Sequence, residues 1–155
     1  MFEWLESTPA AVWINFSLWG YPIMLALHVI GLSMAAGVFA IRDLRLLGFF
    51  DGIAWSSLDS LTRLGWSGFV INAASGSFLF IAQATTFIHN IPFLLKISII
   101  FLAVICAAII QNRLRKDAVD WDGRGSVAGE VRLVAAISLA LWTGAIVAGR
   151  LVAYF

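Results

Sequence analysis

From Tyr21 to Ile41 no residue is Asp, Glu, Lys or Arg. At about 1.5 Å per residue such a run crosses a hydrocarbon layer as a helix. Arg42, Asp43 and Arg45 then end it at a polar face. Three further apolar runs follow, over about 64–87, 92–112 and 131–155. The pattern predicts an all-α, integral membrane four-helix bundle in one domain, 1–155, with spans over about 21–41, 64–87, 92–112 and 131–155.

The segments between the runs carry turn and cap signals. Ahead of the first span, Thr8 followed by Pro9 reads as the start of a short N-terminal interfacial helix. Trp4, Trp13 and Trp19 are the aromatic type that collects at headgroup level. Gly20-Tyr21-Pro22 separates that helix from the span. Residues 42–63 read as the first loop, with Gly48, Gly52, Ser56, Ser57 and Asp59 as turn formers. His89-Asn90-Ile91-Pro92 is a tight second connection, and Pro92 suits the first turn of the third helix. Gly123 and Gly125, among Arg113, Arg115, Lys116, Arg124, Asp117, Asp120 and Asp122, mark a polar third loop.

The basic residues lie in the first and third loops (Arg42, Arg45, Arg63; Arg113, Arg115, Lys116, Arg124), and the second loop has no Lys or Arg. The positive-inside rule therefore predicts that these two loops face the cytoplasm, with both termini and His89 on the outer side. Glu3 and Glu6 stand where a signal peptide would carry Lys or Arg, so the first span is expected to be retained.

Composition agrees with the pattern. The chain is 61% hydrophobic and 12% charged, against about a quarter charged for soluble domains. A net charge of +1 excludes the basic excess of a nucleic-acid binder. The single cysteine, Cys106, cannot form an internal disulfide.

Candidate chemistry concentrates in the outer half. By helical rise His28 lies roughly 10 Å and Lys96 roughly 6 Å below the outer ends of their spans. Arg150 lies at similar depth on the fourth helix, Gln83 near the outer end of the second, and His89 just beyond it. The inner half has no equivalent set. His28, Gly31 and Ala35 share one helix face, with Met24 a turn outward of His28. Asn72, Ser75, Gly76, Leu79, Gln83 and Thr86 make one stripe of the second span, with Gly65 and Gly68 further inward. Small residues let helices approach closely in lipid, and polar ones bond across the contact.

An ionisable group inside lipid is costly, faces the bundle interior and is by default a functional candidate. Neutral imidazole is the commonest protein ligand to haem iron, copper and zinc. His28 is thus the candidate cofactor and metal ligand. His89, roughly 10 Å nearer the surface by helical rise, matches poorly in depth as a second ligand. Lys96 is closer, since a desolvated lysine can lose its proton and donate. Arg150 suits a haem propionate, and Gln83 and Asn72 can hydrogen-bond a cofactor. Equally, Lys96 and Arg150 are near enough to the interface to snorkel, and the Asn/Ser/Gly stripe can be packing alone. No hydrolase set, paired intramembrane carboxylates or phosphate loop is present.

The pattern L-H-V-I-G-L-x-x-x-A-G from Leu27 to Gly37, followed by R-D-L-R-L-L-G from Arg42, resembles a family of small bacterial four-span membrane proteins of unknown function. L-E-S-T-P at Leu5, S-L-W-G-Y-P at Ser17 and P-F-L-L-K at Pro92 fit it too. At greater distance the layout is similar to the HemJ-type protoporphyrinogen oxidases and the CopD-type copper-resistance membrane proteins. The HemJ resemblance implies haem b at a histidine and a span-opening lysine, here His28 and Lys96. Where those proteins carry a histidine late in the lysine-bearing span, this chain has Ala107 to Gln111, none of them histidine. The copper resemblance implies a soft Met/His/Cys cluster, for which only Met24 lies a turn from His28.

The expectation is a haem b-binding membrane redox protein, moving electrons within or to a larger membrane complex. His28 would be the axial ligand, Lys96 the second ligand or a nearby base, and Arg150 a propionate partner. A copper-handling protein and a cofactor-free accessory subunit, either of them in a complex or a homo-oligomer, are the alternatives.

Overall fold

The computed structural model describes residues 3–124 and 127–152 (of 118–120 and 122–124 the backbone alone). Gly125 and the last residues of the fourth predicted span, 153–155, lie outside the described residues. So do the side chains of Asp120, Asp122 and Arg124. Two short helices, α1 (Glu3–Glu6) and α2 (Pro9–Phe16), precede four long ones: α3 (Gly20–Leu47), α4 (Trp55–Ala82), α6 (Ile91–Arg124) and α7 (Gly129–Leu151), with a single-turn α5 (Ala84–Phe87) after α4. All four long helices contain stretches long and apolar enough to cross a membrane. The chain is an all-α, multi-pass membrane protein.

Local signals account for the boundaries. The Thr8 side chain accepts from Ala11 N, and Pro9 occupies the first turn of α2. The separation of α2 from α3 falls at Ser17–Trp19, slightly before the expected Gly20-Tyr21-Pro22. Gly48 closes α3 in the left-handed region, at φ 102°, which a residue without Cβ adopts freely. Asn90 Oδ1 accepts from Phe93 N at 2.9 Å and so caps α6 ahead of Pro92.

The first loop is much shorter than 42–63. α3 continues through Arg42, Asp43 and Arg45 to Leu47, and α4 already starts at Trp55. The serine- and aspartate-rich start of α4 stays helical because its polar groups bond locally. Thr62 Oγ1 donates to Leu58 O at 2.7 Å, and Arg63 pairs with Asp59 one turn earlier at 2.8 Å. Arg45 ties the short loop down. It donates to Ile53 O and Asp51 Oδ1, both at 2.9 Å, and lies 4.3 Å from the Trp55 ring centroid. At the other end, α4 stops at Ala82 rather than continuing to Phe87.

The long helices alternate in direction and close a ring, in which α3 packs on α4 and α7, and α6 on α7 and α4. The closest approach is α3 on α4. A Cβ on Gly31 would stand 2.7 Å from Gly68 O, and one on Gly68 would stand 2.9 Å from Gly31 O. α1 and α2 form a strap across one end of the ring, termed here the strap end; the other is the loop end. Asn15 Nδ2 donates to the last α4 carbonyl, Ala82 O, at 2.8 Å, and Glu6 Oε1 accepts from both Thr85 N and Thr85 Oγ1 at 2.9 and 2.6 Å. The strap thus satisfies backbone groups released where α4 breaks.

Candidate functional site

Because Gly31 and Gly68 bring the α3 and α4 backbones together, side chains one turn nearer the strap end meet across the seam. His28 Nδ1 lies 3.0 Å from Asn72 O and 3.3 Å from Ser75 Oγ. Asn72 Nδ2 donates to His28 O at 2.8 Å and stands 3.2 Å from His28 Nδ1. Ser75 Oγ has its own acceptors in Ile71 O and Asn72 O. A carbonyl oxygen can only accept, so the 3.0 Å contact to Asn72 O calls for the proton on Nδ1. Nε2 then holds the free lone pair, the tautomer of a metal-ligating histidine whose other nitrogen is anchored. The ring lies against Gly76, where a Cβ would stand 2.9 Å from His28 Cε1. Only glycine leaves the imidazole that space.

Lys96 enters the same end of the ring from α6. Its side chain lies along α7 at Gly149, where a Cβ would stand 3.3 Å from Lys96 Cε and 3.4 Å from Nζ. The ammonium is within electrostatic range of His28. Beside it Phe93 stacks on Phe80 and Phe87, with ring centroids 5.5 and 5.1 Å apart, closing the α4–α6 seam.

The other predicted residues are placed differently. Asn72 is buried in the seam. Gln83 is exposed at the break after α4, where its backbone (φ −141°, ψ 40°) leaves the helical region. Its side chain is apart from the His28–Asn72 contact. His89 is exposed in the connection to α6, and Arg150 is exposed in the last turn of α7. The structure therefore joins His28 with Asn72, adds Ser75 to them, sets Lys96 nearby, and leaves Gln83 and His89 on the surface.

Two groups here are of kinds that can ligate a metal: an oriented imidazole Nε2 and, once deprotonated, the Lys96 amine, each seated on a glycine. Among the described residues no three His, Cys, Asp or Glu side chains gather as a metal cage. An open apolar groove of about 710 Å³ runs along α7, lined by Leu95, Ile99, Gly144 and Val147 among others. It touches neither His28 nor Lys96.

The loop-end half is not empty of chemistry, contrary to the sequence expectation. Arg42 and Asp43 do not end a span at a polar face; both are fully buried inside α3. Arg42 Nε and Nη2 both donate to Asp43 Oδ1, at 2.9 and 2.7 Å, and Nη1 reaches Ala107 O at 3.4 Å. Adjacent and opposite, the two charges are together neutral and need no headgroup to solvate them.

No protein-family model matches the chain, and no curated protein or solved structure matches it.

Proposed function

We propose that the protein is a haem b-binding redox protein of the bacterial inner membrane, moving electrons within or to a larger membrane complex. His28 is the axial ligand. The observation that carries this reading is the His28 Nδ1 contact to Asn72 O at 3.0 Å, which frees Nε2 to donate to a metal. Lys96 is the second ligand or the base beside it, Arg150 is a propionate partner at the rim, and Asn72 orients the imidazole. Haem bound there would supply one-electron exchange, while the chain supplies binding, orientation and electrostatics. Arg45, Arg63, Arg113, Arg115 and Lys116 collect at the loop end. That supports an orientation with the loop end cytoplasmic and the strap and both termini outside.

The test is an absorption spectrum of the detergent-purified protein, oxidised and dithionite-reduced, beside His28→Ala. A Soret band that shifts on reduction and is lost or altered in the variant supports haem at His28. A featureless spectrum from cells supplied with haem removes the cytochrome reading. Metal analysis then separates a copper protein from a cofactor-free subunit. The latter has its own support: Asn72 and Ser75 already engage His28 as an interhelical joint.

A further inference from the structure

Independently of the His28 site, the bundle holds a second polar assembly midway between two apolar cores. Towards the loop end lies a cluster that includes Leu46, Trp55, Leu58, Ile110, Leu114 and Ala135. Towards the strap end lies a cluster of Ala35, Phe39, Ala103, Ala107 and Trp142, with Trp66 and Phe69 packed on it. Each helix places a buried polar group between them: Arg42 and Asp43 from α3, Thr62 from α4, Gln111 from α6 and Ser138 from α7.

This layer is incompletely bonded. Asp43 Oδ2, Gln111 Oε1, Ser138 Oγ and Trp142 Nε1 are buried and have no hydrogen-bond partner among the described residues. Their residues are 0%, 5%, 0% and 3% exposed. A buried polar atom left unpaired costs about 1–3 kcal/mol, and three in this layer with a fourth, Trp142 Nε1, on the ring cluster bordering it is far from the usual pairing of buried groups. The Ser138 hydroxyl is close enough to Asp43 to interact with it, yet no hydrogen bond of normal geometry joins them. Such a gap is what a bridging water closes. Asp43 Oδ2 and Gln111 Oε1 accept, the indole donates and the Ser138 hydroxyl does either, and water can do both.

The layer also lies close to the loop end. Arg42 and Asp43 lie within two turns of the end of α3 at Leu47. Gln111 Nε2 donates to Asp59 Oδ1 at 2.6 Å, and Asp59 in turn meets Arg63 and Arg115 at the loop end. A crevice of about 80 Å³ between α6 and α7, with Arg113 and Glu130 on its walls, extends to Ile110 and Val134. Ile110 precedes Gln111, and Val134 is one turn from Ser138. On the strap side the Phe39, Trp66, Phe69 and Trp142 rings close the layer off, with centroids 5.2–6.3 Å apart.

We propose that this layer is a water-binding site, filled from the loop end, in which water bridges Asp43 Oδ2, Ser138 Oγ, Gln111 Oε1 and Trp142 Nε1. Water thereby reaches the Arg42–Asp43 pair inside the bundle and stops at the aromatic rings. The loop-end water and the His28 site become two polar compartments separated by one aromatic layer.

The wild-type protein carries its own reporter. With ¹⁵N-labelled tryptophan in nanodiscs, the Trp142 indole N–H, assigned through Trp142→Phe, should show magnetisation transfer from water comparable to that of the exposed Trp4. No transfer to Trp142 while Trp4 responds would overturn the proposal. As a second measurement, Ser138→Cys in a Cys106→Ala background is treated with 2-aminoethyl methanethiosulfonate and compared with Ala145→Cys. The reagent attacks the thiolate, which forms only where water reaches it, so labelling at position 138 should be about tenfold faster. Equal rates at the two positions would overturn the proposal. If the cysteine variants do not fold, the indole measurement decides.

Discussion

Gly31 of α3 and Gly68 of α4 meet with no side chain between them, and a Cβ on either would stand within 3 Å of the other's carbonyl oxygen. The contact is backbone on backbone, so no rotamer change can relieve an added methyl group. The His28–Asn72 bonds one turn away depend on it, because a seam opened by an ångström takes both out of hydrogen-bond range.

Gly31→Ala and Gly68→Ala are therefore expected to destabilise the bundle by about 1–3 kcal/mol, the usual cost of overpacking, with a lower thermal midpoint in detergent. Gly37→Ala is the control. Nothing lies within 4 Å of a Cβ there, and alanine in a helix interior gains up to about 1 kcal/mol over glycine. Equal midpoints for Gly31→Ala and Gly37→Ala would contradict the close seam.

Asn72→Ala removes the amide that holds the His28 backbone while leaving the imidazole in place. If His28 holds a metal or haem iron, the Asn72 backbone carbonyl that orients its ring survives the substitution, so binding is expected to weaken by less than the roughly 10–100-fold that follows loss of an orienting partner. The measurement is cofactor titration of the purified variant, with circular dichroism to show an intact bundle. Unchanged affinity would mean that Asn72 serves the seam alone.

Arg42→Met or Asp43→Leu alone strands the remaining charge in the core, and a cost of about 3–5 kcal/mol is expected for each. The double variant Arg42→Met/Asp43→Leu removes both charges and should recover most of that loss. Thermal unfolding of the three proteins reads the coupling. Additive losses in the double variant would mean that the two side chains act independently.

Glu6 gives a pH prediction. The Thr85 hydroxyl and backbone N–H both donate to its carboxylate and hold it below its ordinary value of 4.5. The folded protein thus favours the ionised form, and the clasp's contribution is complete above that value and lost as pH falls through the lowered one. Trp4 fluorescence should report release of α1 on acidification, and Glu6→Gln should remove the pH dependence. A pH-independent signal in the wild type would show that the clasp does not hold the strap.

Much of the layout is legible in the residues themselves. An uncharged run from Tyr21 to Ile41 has few structural outcomes, and Thr8-Pro9 is a local cap that needs no tertiary context. The Asn72–Ser75–Gly76 stripe was legible as a seam because small and polar residues recur at helical spacing. Arg42 and Asp43 were not, because a charge pair after an apolar run reads the same whether solvated or neutralised in place. The choice depends on Ala107, Gln111 and Ser138, which come from other helices. The start of α4 was hidden for a related reason: Ser56, Ser57 and Asp59 are turn formers by propensity, and their helical state rests on Trp55 and Leu58 being buried against α6 and α7. Gln83 shares the stripe with Asn72 in sequence, but the helix break rotates it out of line.

The polar layer between the two apolar cores has a consequence for how the helices find their alignment. Four apolar helices in lipid can slide along one another at little cost, since leucine against leucine is equally good one turn up or down. A slide of α6 or α7 by one turn would move Ala107 O and Ser138 away from Arg42 and Asp43 and set the charges against hydrocarbon. The pair would then act as a pin for vertical register, permitting one stacking of the helices and penalising its neighbours.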